Sequence, residues 1–336
     1  MSAFLPTALS RSTVTLALVA AASINAAAQT NPPTLAAFST GDGAYYTTIG
    51  GNTVDPYFIN KSFIIAMKAN APLQTEFTQW LQWLLPRQRK DGGFDRYCFE
   101  GQQKKRNVWR NCMKSDADDS MASTTMEMIA IAQQKKWLAA PQQAAARQAS
   151  INARKLLNSL HNPKTQIYKV FADTELYSLM DNAEVYDGLR AVGDTASANK
   201  LATAVRQQFY INSEWKPSIP DYDQKRFYPH TLAHAYLWSN SILPPKDSAS
   251  TVAHWLAING NTWLNRSGDH FAWGLVAWAL YPHAPIQAAC WRASLRPFNA
   301  DKIGWTVLDA FIDHSLQQLG VDAVCPIAVI PALSAQ

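Results

Sequence analysis

The sequence predicts an all-α protein, an (α/α)6 toroid in which six helices form an inner ring and further helices cover it. Two observations predict this fold. Six helical segments are apolar around most of their circumference, and amphipathic helices alternate with them along the chain. Long runs of alternating apolar and polar residues, which would indicate strands, are absent.

The apolar segments are the predicted inner helices, because a helix that is apolar nearly all round must be buried on most sides. They span residues 57–69, 116–133, 174–192, 226–242, 269–281 and 302–319. The predicted outer helices span residues 75–87, 141–160, 195–210, 248–258 and 287–295. An irregular helical bundle or a solenoid is the alternative, but a solenoid requires a fixed repeat and the inner helices begin at uneven intervals.

The first 28 residues have the pattern of a cleaved signal peptide. Arg11 is followed by a short apolar run at 13–22 and then by small residues at 26–28. The run is shorter than the roughly 20 residues that span a bilayer, although a retained membrane anchor is the competing interpretation. We expect export to the periplasm or beyond the cell, with residues 29–336 forming one domain and no membrane span.

All four cysteines follow the predicted signal peptide, where an oxidising compartment favours disulfides. Four cysteines allow three pairings. We favour Cys98–Cys112 and Cys290–Cys325, because each closes a local loop. No Cys-x2-Cys pair or Cys/His cluster has the spacing of a metal site, so we expect no metal.

Composition favours a carbohydrate ligand. Twelve Trp and twelve Tyr accompany a low charged fraction of 16% and a net charge of +5. Apart from residues 104–106 the basic residues are dispersed, which excludes a nucleic-acid-binding footprint. Aromatic rings stack on the C–H faces of sugars, although most Trp residues belong to the core. We expect a monomer that binds a polysaccharide or oligosaccharide and needs no organic cofactor.

Acidic residues gather where the predicted inner helices begin. A single acidic residue there is a helix cap. Asp116, Asp118 and Asp119 stand too close together for capping to explain all three, and crowded carboxylates raise one another's pKa, as acid/base chemistry requires.

Residues 115–122, Ser-Asp-Ala-Asp-Asp-Ser-Met-Ala, resemble the signature of glycoside hydrolase family 8, A-[ST]-D-[AG]-D-x-x-[IM]-A. The leading Ala is replaced by Lys114. Residues 186–190, Tyr-Asp-Gly-Leu-Arg, resemble a Tyr-Asp-Ala-Ile-Arg segment of bacterial cellulose-synthesis cellulases. The resemblance implies an (α/α)6 toroid, with Asp116 binding and distorting the central sugar and Asp187 activating water.

One departure from the family concerns the general acid, which in family 8 is a Glu on the first inner helix. Residues 57–63 contain no Glu, so Asp55 or Glu100 would have to replace it. The candidate catalytic residues are therefore Asp116, Asp187 and Asp55. Asp181 and Glu184 lie nearer the start of the third inner helix and are the alternatives to Asp187.

The remaining candidates are acidic, aromatic or basic side chains near the inner-helix starts and the motif. We expect them to bind substrate: Asp118, Asp119, Trp109, Tyr228, His230, Arg226 and Trp273.

Three functions remain open. The first is a polysaccharide hydrolase that uses paired carboxylates and water. The second is a lyase of uronic-acid polymers, with Tyr228, His230, Arg226 and Lys61 as its working residues. The third is a sugar-binding toroid without catalysis.

Overall fold

A computed structural model describes residues 34–104, 106–221, 225–240, 242, 245–295 and 304–326. The predicted signal peptide and the predicted beginning of the sixth inner helix lie outside these residues. Within these ranges, no helix combines the length and apolarity that a bilayer crossing requires.

The described residues form eleven α-helices. They are α1 (Pro56–Lys68), α2 (Gln74–Leu84), α3 (Asp118–Gln134), α4 (Ala140–Leu160), α5 (Leu179–Ala191), α6 (Thr195–Phe209), α7 (Leu232–Ser239), α8 (Pro245–Asn265), α9 (Gly274–Leu280), α10 (Pro285–Ser294) and α11 (Val307–Gln318).

The odd-numbered helices form the inner ring. Each contacts the next, from α1 through α3, α5, α7 and α9 to α11, and α11 contacts α1, so the ring is closed. The even-numbered helices lie outside, where α4 packs on α3, α6 on α5 and α10 on α9. The structure therefore confirms the predicted toroid.

Local sequence explains where inner helices begin. Asp55 caps α1 by accepting a hydrogen bond from the backbone N–H of Tyr57, and Pro56 occupies the first turn, where its missing N–H costs nothing. Thr306 and Asp309 form a reciprocal capping box at α11. These caps fix where α1 and α11 begin, and both capped ends border the same cavity.

Several predicted inner helices begin later than expected. Residues 174–178 form a loop and a short strand before α5, and residues 227–231 form a distorted turn in which Tyr228 is extended (φ −96°, ψ 128°). Trp273, directly before α9, has a left-handed backbone (φ 47°, ψ 54°). The helical spacing of apolar residues continues through these segments, but tertiary contacts hold their backbone in loops over the ring.

Seven strands accompany the helices in the described parts of the chain. They are β1 (Thr53–Val54), β2 (Arg96–Gln103), β3 (Arg106–Met113), β4 (Tyr177–Ser178), β5 (Tyr210–Ile211), β6 (Glu214–Trp215) and β7 (Ser218–Ile219). Antiparallel pairing joins β1 to β2, β2 to β3, β4 to β7 and β5 to β6.

The long β2–β3 hairpin is not anticipated by the sequence pattern. Its strands are mostly polar and half-exposed, so they lack the alternation that identifies a strand. A disulfide between Cys98 and Cys112 crosses the hairpin, and a second joins Cys290 to Cys325. Both predicted pairings are present.

Candidate active site

A cavity of about 900 Å³ lies over the N-terminal ends of the inner helices. Each of the six inner helices, or the residues directly before it, contributes to its wall. Among the lining residues are Asp55, Tyr57, Asp116, Ser120, Asp181, Tyr228, Tyr236, Trp273, Gly274 and Asp309.

Asp116 lines this cavity two residues before α3 begins. Its side chain is 80% exposed and pairs with the guanidinium of Arg96, on β2. The Nε atom of Arg96 lies 2.5 Å from Oδ2 of Asp55. The hairpin thus places one arginine between two carboxylates at the cavity wall.

Three of the five lining carboxyl groups are committed to the fold. Asp55 caps α1 with one oxygen and pairs with Arg96 through the other. Asp309 accepts the Gly274 N–H through Oδ1 and Thr306 through Oδ2. Both oxygens of Asp269 accept the indole N–H of Trp273. Asp116 and Asp181 are the lining carboxyl groups left for a bound ligand.

Asp181 lies in the first turn of α5 and is half-buried. Burial raises the pKa of Asp181 to about 7, and the negative charges of Glu184 and Asp116 add to the shift. Near neutral pH a large fraction of the Asp181 carboxyl therefore carries a proton. The sequence assigned the catalytic role on this helix to Asp187, with Asp181 and Glu184 as the alternatives.

The other two aspartates of the motif do not line the cavity. Asp118 is buried and accepts hydrogen bonds from Arg89 (2.7 Å) and Ser115 (3.2 Å). Asp119 is fully buried, and burial first, then the charge of Asp181, raises its pKa well above the usual range. Because α3 begins at Asp118, the turn of the helix directs Asp118 and Asp119 away from the cavity, whereas Ser120 lines it.

A buried polar network lies beneath the cavity floor. The hydroxyl of Tyr57 donates to Oε1 of Glu184 (2.9 Å) and lies 3.2 Å from the hydroxyl of Tyr236. The ammonium of Lys61 lies 2.9 Å from the same Oε1. Burial raises the pKa of Glu184, and Lys61 opposes that rise. Glu184, a buried carboxyl group of α5, is therefore held by two side chains of α1, the helix that itself contains no Glu.

The structure places Asp187 away from the cavity. It accepts a hydrogen bond from the amide of Asn240 (2.7 Å) and lies 3.9 Å from the ammonium of Lys68. Asp187 and both Lys61 and Lys68 surround a separate space of about 20 Å³. Two turns of α5 separate Asp187 from Asp181, so the residue lies deeper in the ring than the predicted role requires.

Aromatic side chains form one wall of the cavity. The rings of Tyr228 and Trp273 stack with centroids 5.4 Å apart and planes 11° apart, and Phe271 lies 5.4 Å from Trp273. Tyr228 is 50% exposed. Arg226 also lines the cavity. This wall can stack on the apolar face of a sugar while hydrogen-bonding groups contact its hydroxyls.

Two predicted binding residues lie elsewhere. Trp109 packs edge-on against Trp83, and its indole N–H donates to Asp42 (2.8 Å) on the outer side of the hairpin. His230 lies 3.5 Å from Asp221, and its Nδ1 accepts the backbone N–H of Arg226. Neither lines the cavity.

The residues required for a lyase are not gathered in one place. Tyr228 and Arg226 line the cavity, whereas His230 and Lys61 do not. Among the described residues, no group of three or more His, Cys, Asp or Glu side chains is placed to hold a metal ion.

No family model matches the sequence, and no curated protein does either. Eight chains of solved structures match the fold. One is an α-amylase from Clostridium perfringens, with 12% identity, a TM-score of 0.56, and 85% of this chain aligned to 94% of that one.

Two further matches come from different bacteria. An endoglucanase of family 8 from Klebsiella pneumoniae has 16% identity and a TM-score of 0.51, with 84% of this chain aligned to 95% of that one. Rex8A from Paenibacillus barcinonensis, solved with xylose, has 12% identity and a TM-score of 0.51, with coverages of 84% and 85%. The chain therefore has the six-hairpin toroid of these glycosidases, and it resembles family 8 in both motif and fold.

Proposed function

We propose that this chain, which shares its toroid with glycoside hydrolases, is itself a glycosidase that hydrolyses a polysaccharide with Asp181 and Asp116. The observation that carries the proposal is the cavity over the inner-helix ends. Two carboxyl groups with different surroundings and a stacked pair of aromatic rings line this one cavity. Carboxyl groups whose environments separate their pKa values are suited to divided acid and base roles.

Asp181 is the proton donor in this proposal. With its pKa raised to about 7, a large fraction of the Asp181 carboxyl carries a proton near neutral pH, and this form can protonate the glycosidic oxygen as the bond to the anomeric carbon breaks. Asp116 is the base, exposed to water and paired with Arg96. It takes one proton from the attacking water, and the remaining hydroxide bonds to the anomeric carbon. The products are two shorter chains, with inversion at the anomeric centre.

Asp55, the acid expected from the sequence, has a positioning role here. Its two oxygens hold the start of α1 and the side chain of Arg96, which in turn contacts Asp116. Loss of Asp55 would free the side chain of Arg96, and Asp116 would then lose its fixed position. Asp55 therefore acts through Arg96.

Tyr228, Trp273 and Phe271 supply the sugar-binding surface. Exposed aromatic rings offer apolar faces at low conformational cost, and they leave the polar cavity floor to contact hydroxyl groups. The ligand is a polysaccharide or oligosaccharide.

Export is a second part of the proposal. The signal-peptide pattern at 1–28 supports it, and two disulfides suit an oxidising compartment. Expression of the full chain in a bacterium, followed by fractionation and N-terminal sequencing, tests it. A cytoplasmic product that keeps Met1 would contradict export.

A polysaccharide panel tests the catalytic proposal, with each reaction assayed for new reducing ends and for unsaturated products that absorb in the ultraviolet. We expect new reducing ends without ultraviolet absorbance, and loss of this release of reducing ends in Asp116→Asn and in Asp181→Asn. Asp173→Asn is the matched control, because Asp173 is exposed and does not line the cavity. Unsaturated products would indicate a lyase, and binding without products would indicate a non-catalytic protein.

A further inference from the structure

A second aromatic pair lies outside the cavity, on the β5–β6 hairpin. Tyr210 and Trp215 face each other across the two strands, and their ring centroids are 5.1 Å apart with planes at 46°. Tyr210 is 49% exposed and the adjacent Ile211 is 42% exposed. Grouped exposed apolar side chains of this kind mark a binding surface more often than isolated ones do.

The hairpin turn fixes how the pair is presented. Asn212 and Ser213, the two turn residues, both have left-handed backbones (φ 53° and 65°). Two such residues define a tight turn whose twist matches the flanking strands. Cross-strand partners project from the same face, so the rings of Tyr210 and Trp215 form one continuous surface.

The pair lies close to the cavity. Trp215 precedes Pro217, a cavity-lining residue, by two positions, so their Cα atoms are at most about 7 Å apart. Directly after Pro217, β7 pairs with β4, and Ser178 of β4 also lines the cavity. The hairpin therefore lies directly beside the cavity wall.

Ion pairs join the hairpin to the cavity rim. Oε2 of Glu214 lies 3.6 Å from Nζ of Lys225, which lines the cavity, and 3.4 Å from Nζ of Lys216. Lys216 also lies 3.3 Å from Asp221. Each exposed pair is weak by itself, but together they hold the hairpin in a constant position relative to the rim. The same groups offer donors and acceptors to sugar hydroxyls.

We propose that Tyr210 and Trp215 form a distal sugar-binding subsite that holds the part of a polysaccharide chain extending out of the cavity. This inference rests on the proposed function and deepens it, because it makes the substrate a polymer rather than a short oligosaccharide. The aromatic faces stack on neutral sugar rings, and Glu214 and Lys216 bond to their hydroxyl groups.

Binding and hydrolysis are measured separately to test the subsite. Affinity electrophoresis in gels that contain hydroxyethylcellulose, xylan or soluble starch measures binding, with Asp116→Asn as the parent so that the polymer stays intact. We expect Tyr210→Ala and Trp215→Ala each to weaken retardation about tenfold, with Tyr210→Phe retaining it. Ile151→Ala is the matched control, because Ile151 is 45% exposed on α4 and does not line the cavity.

Hydrolysis with Asp116 intact supplies the second measurement. We expect the ratio of kcat/KM on polymer to kcat/KM on the corresponding trisaccharide to fall about tenfold in both alanine variants. If the alanine variants are retarded as strongly as an Asp116→Asn parent that binds the polymer, the subsite is overturned and the proposed function still stands. Binding that depends on Trp215, together with no hydrolysis of any of these polymers by the protein with Asp116 intact, would preserve the subsite and overturn the proposed function.

Two further outcomes would overturn the subsite. One is an equal loss on polymer and trisaccharide, which would indicate damage to the cavity itself. The other is a concentration-dependent dimer in sedimentation that Tyr210→Ala abolishes, because the pair would then be a contact between two copies of the chain. Tyr210 is the decisive position. Because its side chain is exposed, loss of folding would not explain weaker binding by Tyr210→Ala.

Discussion

The indole of Trp273 lies parallel to the ring of Tyr228, and its N–H donates to both oxygens of Asp269, at 2.7 and 2.9 Å. Trp273 adopts a left-handed backbone that is unfavourable for any residue with a Cβ. Non-glycine residues in such conformations are concentrated at functional sites, where surrounding contacts hold them. Stacking and hydrogen bonding therefore fix this ring as a rigid face of the cavity.

Replacing Trp273 tests that face. Trp273→Gly removes the ring and suits the left-handed backbone, so the fold should tolerate it. We expect KM for an oligosaccharide to rise about tenfold, equivalent to about 1.4 kcal/mol of binding, with a smaller change in kcat. Steady-state kinetics and a melting curve measure both effects, and Trp273→Phe is the control that keeps a ring. An unchanged KM would remove Trp273 from the binding surface.

Asp116→Asn should lower turnover by at least about a hundredfold, the contribution expected of a general base. The melting temperature should stay within a few degrees, because the Asp116 side chain is exposed and Arg96 keeps its contact with Asp55. Kinetics and calorimetry on the same preparation separate the two effects. Turnover close to that of the unmodified protein would show that Asp116 is not the base.

The pH dependence of activity tests Asp181. If its protonated form is the acid, kcat/KM should fall as pH rises through about 7, the pKa of this carboxyl. Asp181→Asn should abolish most activity at every pH, and any residual rate should lose this alkaline decline. A wild-type profile that stays flat across neutral pH would assign the proton donor to another group.

Asp187→Asn distinguishes the predicted catalytic role from a structural one. Burial raises the pKa of Asp187 from 3.8 to about 7 in the folded protein. The folded state therefore holds a proton that the unfolded state releases, and stability is lost as pH rises from about 3.8 to about 7. Replacement by Asn removes this loss, so the difference in melting temperature between about pH 5 and about pH 8 should shrink.

Activity of the same variant completes the comparison. Because Asp187 lies outside the cavity, we expect turnover to change less than about tenfold. Abolished hydrolysis in a folded Asp187→Asn protein would instead support the role in water activation that the sequence resemblance implies.

The Cys98–Cys112 disulfide should stabilise the hairpin that carries Arg96. Closing a loop of about 15 residues contributes about 3 kcal/mol on the chain-entropy model. A Cys98→Ser, Cys112→Ser double variant should therefore unfold at a lower denaturant concentration, and non-reducing peptide mapping should find the bond in the unmodified protein. A map that joins Cys98 to Cys290 or Cys325 would contradict the structure.

Helix periodicity predicted the ring of inner helices well, but it did not predict the loops that precede them and line the cavity. The spans of α1, α4 and α6 agree with the sequence within one residue at each end, because their apolar faces match their burial. The predicted first residues of three inner helices, 174, 226 and 269, were wrong. Tertiary contacts of the loops, and not local helix propensity, determine the backbone conformation there. The same contacts place Tyr228 and Trp273 in the cavity.

The sequence by itself predicted the toroid, favoured the cysteine pairings that the structure has, and gave Asp116 as a candidate, because periodicity, local loop closure and a short motif can be recognised along the chain. Only the tertiary structure put Asp181 in the cavity wall and left Asp187, Asp118 and Asp119 outside it. Which of several nearby carboxyl groups reaches solvent depends on where a helix starts and on what packs against it. Those contacts join residues far apart in the chain, such as Arg96 with Asp55 and Tyr57 with Glu184.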